Sequence, residues 1–166
     1  MLYVKSQIMN EFEKNNLELL SLLDKWEKKL HELPAAIIVD RRNRQNRNIK
    51  QILGHMIDSA SNNTHRTVHL QYQESPLRFP NYASHGNNDR WIAIQNYQEE
   101  SWENMVKLWK YSNLHFIHVI RNVDLTKLDN VWQADTEKYI SLREGITDYL
   151  RHFKLHLGEI DELIRS

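Results

Sequence analysis

Apolar residues recur at three- and four-residue steps in four long stretches of the chain, as they do on one face of an α-helix. The first stretch runs from about Tyr3 to Leu33, and its apolar positions are Ile8, Phe12, Leu19, Leu22, Leu23, Trp26 and Leu30. Pro34 ends this stretch, because the residue before a proline is disfavoured in helical geometry. A second predicted helix begins at Asn48 and runs to about Tyr72.

The start of the second helix carries a capping signal. The Asn48 side chain can accept from the free N–H groups, and Gln51 three residues later completes a capping box. After this helix, the stretch QESPLRFPNYASHGNN predicts a long loop over residues 73–88, since it contains Pro76, Pro80 and Gly86.

The third predicted helix runs from about Asp89 to Asn122, with a stripe formed by Trp91, Trp102, Met105, Val106, Trp109, Phe116 and Ile120. A looser stretch, VDLTKLDNVWQADTEKY, follows it. Ser141 and Glu144 then form a second capping box, and the fourth helix runs to about Ile164. Four amphipathic helices predict an all-α four-helix bundle, with residues 1–166 as a single domain.

Composition agrees with helices and narrows the function classes. Only 4 Gly and 3 Pro occur among 166 residues, whereas an all-β domain needs many turns. Lys+Arg and Asp+Glu both number 22, which gives no general attraction to nucleic acid, and no stretch has the length of a membrane span. Cysteine is absent, so thiolate ligands and disulfides are excluded. We expect a cytoplasmic protein without a nucleic-acid or membrane partner.

Two histidines on the fourth helix are candidate metal ligands. His152 and His156 lie four residues apart beside the apolar face, so their rings stack one turn above the other and can reach one ion. The alternative is a pair of partly exposed surface histidines. His55 lies at the edge of the apolar arc of the second helix, at the head of a polar row that includes Asp58, Asn62 and Arg66. That row either faces solvent or lines a cleft.

The positions of these histidines along their helices indicate how the helices are arranged in the bundle. An antiparallel arrangement of the second and fourth helices brings His55 level with His152 and His156, whereas a parallel one separates them along the bundle axis. The antiparallel arrangement requires a long crossover, which the loop over residues 73–88 can supply. We therefore predict an up-down-down-up order.

The motifs GHMIDS on the second helix and RHFKLHLGEIDEL on the last, with Trp132 ahead of the latter, resemble the DinB/YfiT-like superfamily. The resemblance spans nearly the whole chain and implies an up-down-down-up four-helix bundle. It also implies a Ni, Zn or similar divalent ion held by His55, His152 and His156. Many members have a further histidine where this chain has Leu157, so the resemblance assigns no subfamily.

The same resemblance implies several activities and an assembly. The family includes transferases that use low-molecular-weight thiols such as bacillithiol or mycothiol, a thiol-dependent isomerase, and members described as metal-dependent hydrolases. Many are homodimers. We therefore expect a metalloenzyme acting on a small molecule, as a thiol-dependent transferase or, as the second choice, a hydrolase.

Four further residues complete the predicted site. Asp58 and Glu159 lie within one turn of ligand histidines and are candidate acceptors for their second N–H groups, with solvated helix surface as the alternative. Asn62 and Arg66 are candidate substrate contacts. Two other functions stay open: a catalytically silent metal-binding or structural bundle, and a nucleic-acid binder that uses the basic run Arg41, Arg42, Arg44, Arg47 and Lys50.

Overall fold

The computed structural model describes the backbone of residues 2–166 and the side chains of residues 12–166. Ile8, a predicted stripe position of the first helix, lies outside the described side chains. The helices are α1 (Leu2–His31), α2 (Ala35–Asp40), α3 (Ile49–Tyr72), α4 (Asn87–Gln95), α5 (Trp102–Arg121) and α6 (Leu142–Arg165). A hairpin of β1 (Val131–Asp135) and β2 (Lys138–Ser141) precedes α6, and the predicted all-α bundle class is confirmed.

Both predicted capping boxes form. Asn48 Oδ1 accepts from the Gln51 N–H at 3.0 Å, while Gln51 Oε1 accepts from the Asn48 N–H at 3.1 Å. At the start of α6, Ser141 Oγ accepts from the Glu144 N–H at 3.1 Å, and Glu144 Oε2 accepts from the Ser141 N–H at 2.7 Å. These reciprocal bonds satisfy free N–H groups and fix where the helices that carry His55, His152 and His156 begin.

The prediction of one continuous helix from Asp89 to Asn122 was wrong. The chain leaves α4 at Asn96, whose φ of 50° lies in the left-handed region, and it enters α5 after Ser101. Ser101 Oγ accepts from the Asn104 N–H at 3.4 Å, so a serine cap opens the new helix. Gln95, the last residue of α4, and Tyr97, in the break, both reach α3 and donate to Asp58 there.

Two segments predicted as irregular contain regular structure. The short helix α2 lies in the connector after Pro34, and the β1–β2 hairpin lies in the looser stretch before α6. The loop over residues 73–86 is fastened to this hairpin, because Leu77 forms a parallel bridge with Trp132. The loop and the hairpin together form one wall beside the bundle.

Contacts between the long helices give their relative directions. Helices α1 and α6 are parallel, as the ion pairs Glu18–Lys154 and Lys29–Asp161 show. Helices α1 and α5 are antiparallel, as the ion pairs Glu13–Arg121 and Glu27–Lys110 show. At the start of α3, the Asn48 side chain is hydrogen-bonded to Gln98, which precedes α5. Near the end of α3, the Gln71 side chain accepts from the N–H of Asp124, which follows α5. Helices α3 and α5 are therefore parallel. We infer an up-down-down-up order from these pairings.

The core lies between α1, α3, α5 and α6. Trp109 is fully buried and stacks on Phe153 with ring centroids 5.7 Å apart, while Phe116 meets Tyr149 edge-on at 4.6 Å. Burial of such side chains is the main stabilising contribution to a bundle of this kind. Within the described residues, none of the helices is both long enough and apolar enough to cross a membrane.

Candidate metal centre

Three histidines from two helices converge at one point of the bundle. His55 from α3 and His152 and His156 from α6 each offer a ring nitrogen, and these nitrogens all lie within 4.8 Å of one another. His55 is 3% exposed and His156 is 7% exposed, whereas His152 is half-buried. Among the described residues, this is the one cluster of histidine and carboxylate groups with metal-binding spacing.

The packing of α3 against α6 produces the convergence. His152 and His156 are one turn apart, and their ring centroids lie 4.5 Å apart. The His55 ring lies 4.6 Å from that of His156 and 5.6 Å from that of His152. His55 is followed one turn later by Ser59, whose Oγ lies 3.4 Å from His152 Nδ1. The two helices therefore run antiparallel through the site.

Hydrogen bonds orient the two α6 rings. Glu159 Oε2 lies 2.9 Å from His156 Nδ1, so the carboxylate accepts the Nδ1–H and leaves Nε2 with its lone pair. His156 Nε2 faces His152 Nε2 at 3.0 Å. If Nδ1–H of His152 donates to Ser59, two lone pairs face each other, an arrangement that a shared cation or proton stabilises.

Burial keeps the imidazoles of His55 and His152 neutral. Loss of hydration, reinforced by the neighbouring histidines, lowers the pKa of His55 to about 2. Burial, followed by the proximity of His156, lowers the pKa of His152 to about 4. Neutral imidazole is the form that binds a metal, so both rings are ready ligands at neutral pH.

The donor set fits a divalent transition metal. His55 Nδ1 is buried and has no hydrogen-bond partner among the described residues, which is costly for a polar atom unless something else binds there. Imidazole nitrogens suit Zn²⁺, Ni²⁺, Cu²⁺ and Fe²⁺. Three protein ligands also leave a coordination position for water or substrate, as in catalytic zinc sites.

Asp58 is buried beside the centre, one turn after His55. Its Oδ1 accepts from Tyr97 Oη and from Gln95 Nε2, both at 2.6 Å, and its Oδ2 has no partner among the described residues. Burial raises the pKa of Asp58. No hydrogen bond joins Asp58 to His55 in the described structure; Tyr97 and Gln95 occupy the carboxylate instead, because the α4–α5 break brings them there.

A cavity of about 1050 Å³ opens beside His152. Ser59, Arg66, Tyr82 and Trp132 line it together with the start of α6. Of the two candidate substrate contacts, Arg66 faces the cavity. Asn62 is buried and donates to the Asp58 carbonyl at 2.9 Å, and its neighbour Asn63 lines the cavity in its place.

Sequence reasoning missed Tyr82, which packs against the centre from the predicted loop. Its ring centroid lies 5.8 Å from that of His55, and the side chain is 5% exposed. Burial raises the pKa of its hydroxyl. Tyr82 has no periodic pattern around it, and its position depends on the Leu77–Trp132 bridge, which is a long-range contact.

The remaining histidines and the basic run lie elsewhere. The side chains of His31, His65, His85, His115 and His118 are exposed. In the basic run, Arg41 donates to the Leu163 and Ile164 carbonyls, Arg47 pairs with Asp89, and Lys50 donates to the Gln98 carbonyl. Arg42 also donates to the Asn46 carbonyl at 3.1 Å, so four of the five cations are engaged within the chain, which reduces what they offer to a nucleic acid.

Comparison with known proteins finds the relationship in structure and not in sequence. No family model matches the chain, and no curated protein matches it in sequence. Among solved structures it is similar to YfiT from Bacillus subtilis, with a TM-score of 0.77 and 18% sequence identity over 93% of this chain and 86% of that one. YfiT is described as a probable metal-dependent hydrolase with an unusual four-helix bundle topology. The similarity confirms that this chain has a YfiT-like four-helix-bundle fold.

Proposed function

We propose that the protein is a divalent-metal enzyme that activates water or a small thiol for attack on a small-molecule substrate. One observation carries the proposal: three imidazoles, two of them buried and one half-buried, converge beside a large cavity. His55, His152 and His156 would hold the ion. A bound divalent ion lowers the pKa of a coordinated water or thiol and so supplies a nucleophile at neutral pH.

The residues around the centre have separate tasks in this proposal. Glu159 fixes the ring orientation of His156 by accepting its Nδ1–H. Tyr82 covers His55 and excludes water from that side. Asp58 holds Tyr97 and Gln95 against α3 and so acts as a positioning residue.

Two reaction classes share this nucleophile-activating chemistry. Hydrolysis is supported by the structural similarity to YfiT, a probable metal-dependent hydrolase. Thiol transfer is supported by the sequence resemblance to thiol-dependent transferases. A third candidate is a metal-binding bundle that would hold the ion at the same three histidines and catalyse no reaction.

Metal content tests the binding part of the proposal. We expect tag-free protein to purify with about one divalent ion per chain, and we expect His55→Ala and His156→Ala to lose it. His65→Ala is the matched control, because His65 lies on the same helix as His55 and is exposed. Equal metal content in all four proteins would contradict the proposal.

Turnover separates the three candidates. Metal-loaded protein is incubated with ester and amide substrates in one series, and with electrophiles plus bacillithiol or mycothiol in another. Activity in the first series that disappears in His156→Ala indicates a hydrolase, and activity that requires thiol indicates a transferase. A metal-loaded protein inactive in both series supports the silent bundle.

Three expectations from the sequence remain predictions: a homodimer, a cytoplasmic location and the absence of a nucleic-acid partner. Light scattering coupled to size-exclusion chromatography would measure the molecular mass in solution. For a homodimer we expect twice the 20.0 kDa mass of one chain. Retention on immobilised DNA that falls with salt would contradict the third expectation.

A further inference from the structure

Arg66 presents a cation to the cavity without an acidic partner. The guanidinium carbon lies 3.8 Å from the centroid of the Trp132 ring, and Nη2 donates to Asn63 Oδ1. Arg66 takes part in none of the ion pairs of the described residues. Burial lowers its pKa to about 10, so the group stays protonated at neutral pH.

A half-buried guanidinium with no carboxylate partner among the described residues is costly to maintain, since charges withdrawn from water are normally paired. Arg151, also on the cavity wall, shows the ordinary arrangement: it is exposed and its Nη2 donates to Asp148 Oδ2 at 2.9 Å. The difference between the two arginines points to an anion that Arg66 acquires from outside the chain.

The guanidinium is held in place before any ligand arrives. Trp132 is 5% exposed, and its Nε1 donates to the Phe79 carbonyl at 2.8 Å, which fixes the indole on which Arg66 stacks. A guanidinium has five N–H donors, and one of them is used by Asn63. The free donors match the two oxygens of a carboxylate or phosphate group.

The guanidinium lies on the same side of α3 as the metal centre. Ser59, beside His152, precedes Arg66 by seven residues, which is roughly 10 Å along the helix. Helical side chains lean toward the N-terminus of their helix, so Arg66 leans toward Ser59. An organic molecule held at Arg66 therefore extends naturally toward the open side of His152.

We propose that the cavity binds its substrate through a carboxylate or phosphate group, which Arg66 holds against Trp132. The inference rests on the proposed function only in calling this ligand a substrate. Arg66 then determines specificity: it selects molecules with an anionic group on one side and a reactive bond on the other.

Titration of metal-free protein isolates this subsite from the ion. Chelator-treated full-length protein is titrated with succinate, inorganic phosphate and uncharged succinamide, and binding is followed by calorimetry. We expect at least one anion to bind about tenfold or more tightly than succinamide. Arg66→Gln abolishes this preference and Arg66→Lys retains part of it. Arg165→Gln, at an exposed position outside the cavity where the arginine pairs with Asp161, leaves it unchanged.

The results of this titration can be distinguished from those of the metal-content measurement. Stronger succinate binding indicates a carboxylate ligand, and stronger phosphate binding indicates a phosphate ligand. Absence of anion preference in the wild-type protein overturns the inference, as does a preference that survives Arg66→Gln. Neither result affects the metal content of His55→Ala, so the subsite and the proposed function can fail independently. The wild-type comparison also stands if Arg66→Gln fails to fold.

Discussion

At the scale of single residues, the candidate centre depends on hydrogen bonds to imidazoles. Glu159 lies one turn after His156 and contacts its Nδ1, as a carboxylate does in many carboxylate–histidine–metal arrangements. The carboxylate fixes the tautomer and the orientation of the His156 ring. At the other α6 histidine, His152, the Nδ1 atom has a weaker contact, to Ser59 Oγ at 3.4 Å.

Glu159→Gln should weaken metal binding by about 10- to 100-fold, because an amide no longer supports the imidazole with a negative charge. The affinity is measured by competition with a chelator of known strength. Glu162→Gln is the control, since Glu162 is an exposed carboxylate on the same helix. Identical affinities for the two variants would mean that Glu159 has no role at the centre.

Metal-free protein should lose stability as the pH falls below about 6.5, the ordinary value for histidine. The pKa of His55 is lowered to about 2 in the folded state, so the unfolded chain binds more protons between these values and acid favours unfolding. One such histidine contributes about 1.4 kcal/mol per pH unit. The contribution is fully present above pH 6.5.

Urea unfolding of chelator-treated protein between pH 7 and pH 4.5 measures this effect. His55→Gln should reduce the slope of unfolding free energy against pH, and His65→Gln, at an exposed position, should leave it unchanged. If His55→Gln and the wild-type protein showed the same slope, burial of a neutral His55 would be wrong.

At the scale of helices and strands, α3 and the α4–α5 connection fit together through a glycine. A Cβ placed on Gly54 would lie 2.2 Å from Tyr97 Cδ2, so the absence of a side chain allows the ring to cross α3. The crossing lets the Tyr97 hydroxyl donate to Asp58. The residue before His55 therefore matters for the packing around the centre.

Gly54→Ala should destabilise the protein by about 1–3 kcal/mol, because the aromatic ring must move out of a well-packed position. Gly158→Ala is the matched control: it is an exposed glycine in α6 with nothing within 4 Å of the added Cβ. That substitution should stabilise the helix by about 0.5–1 kcal/mol. Chemical denaturation of both variants measures whether each substitution lowers or raises the free energy of unfolding. A Gly54→Ala variant with unchanged stability would contradict the close packing of Tyr97 on Gly54.

The starts of α3 and α6 were predictable because their capping boxes are local patterns. The break at Asn96–Ser101 was missed, since apolar residues continue on both sides of it and the cap at Ser101 competes with a helix-compatible sequence. The hairpin before α6 was missed for another reason. Its two-residue turn, Thr136–Glu137, lacks the Asn-Gly or Asp-Gly pair that signals a tight hairpin in a sequence.

At the scale of the whole molecule, antiparallel packing of α3 and α6 determines whether the histidines meet. Sequence periodicity places His152 and His156 on one helix face. His55 is distant from them in the sequence, and only the tertiary structure brings it close to them. The cavity also belongs to this scale, because its wall combines α3, the 73–86 loop, the hairpin and α6. Arg66 was predictable as a polar position of α3, whereas its stacking on Trp132 was not.

An anomalous difference map of crystalline tag-free protein shows whether His55, His152 and His156 share one ion. Data collected on either side of the absorption edge of the metal found in the protein should give one strong peak per chain. We expect this peak to lie about 2.0–2.1 Å from a nitrogen of each of His55, His152 and His156. A metal peak at another place, or rings that point away from one another around an empty centre, would contradict it.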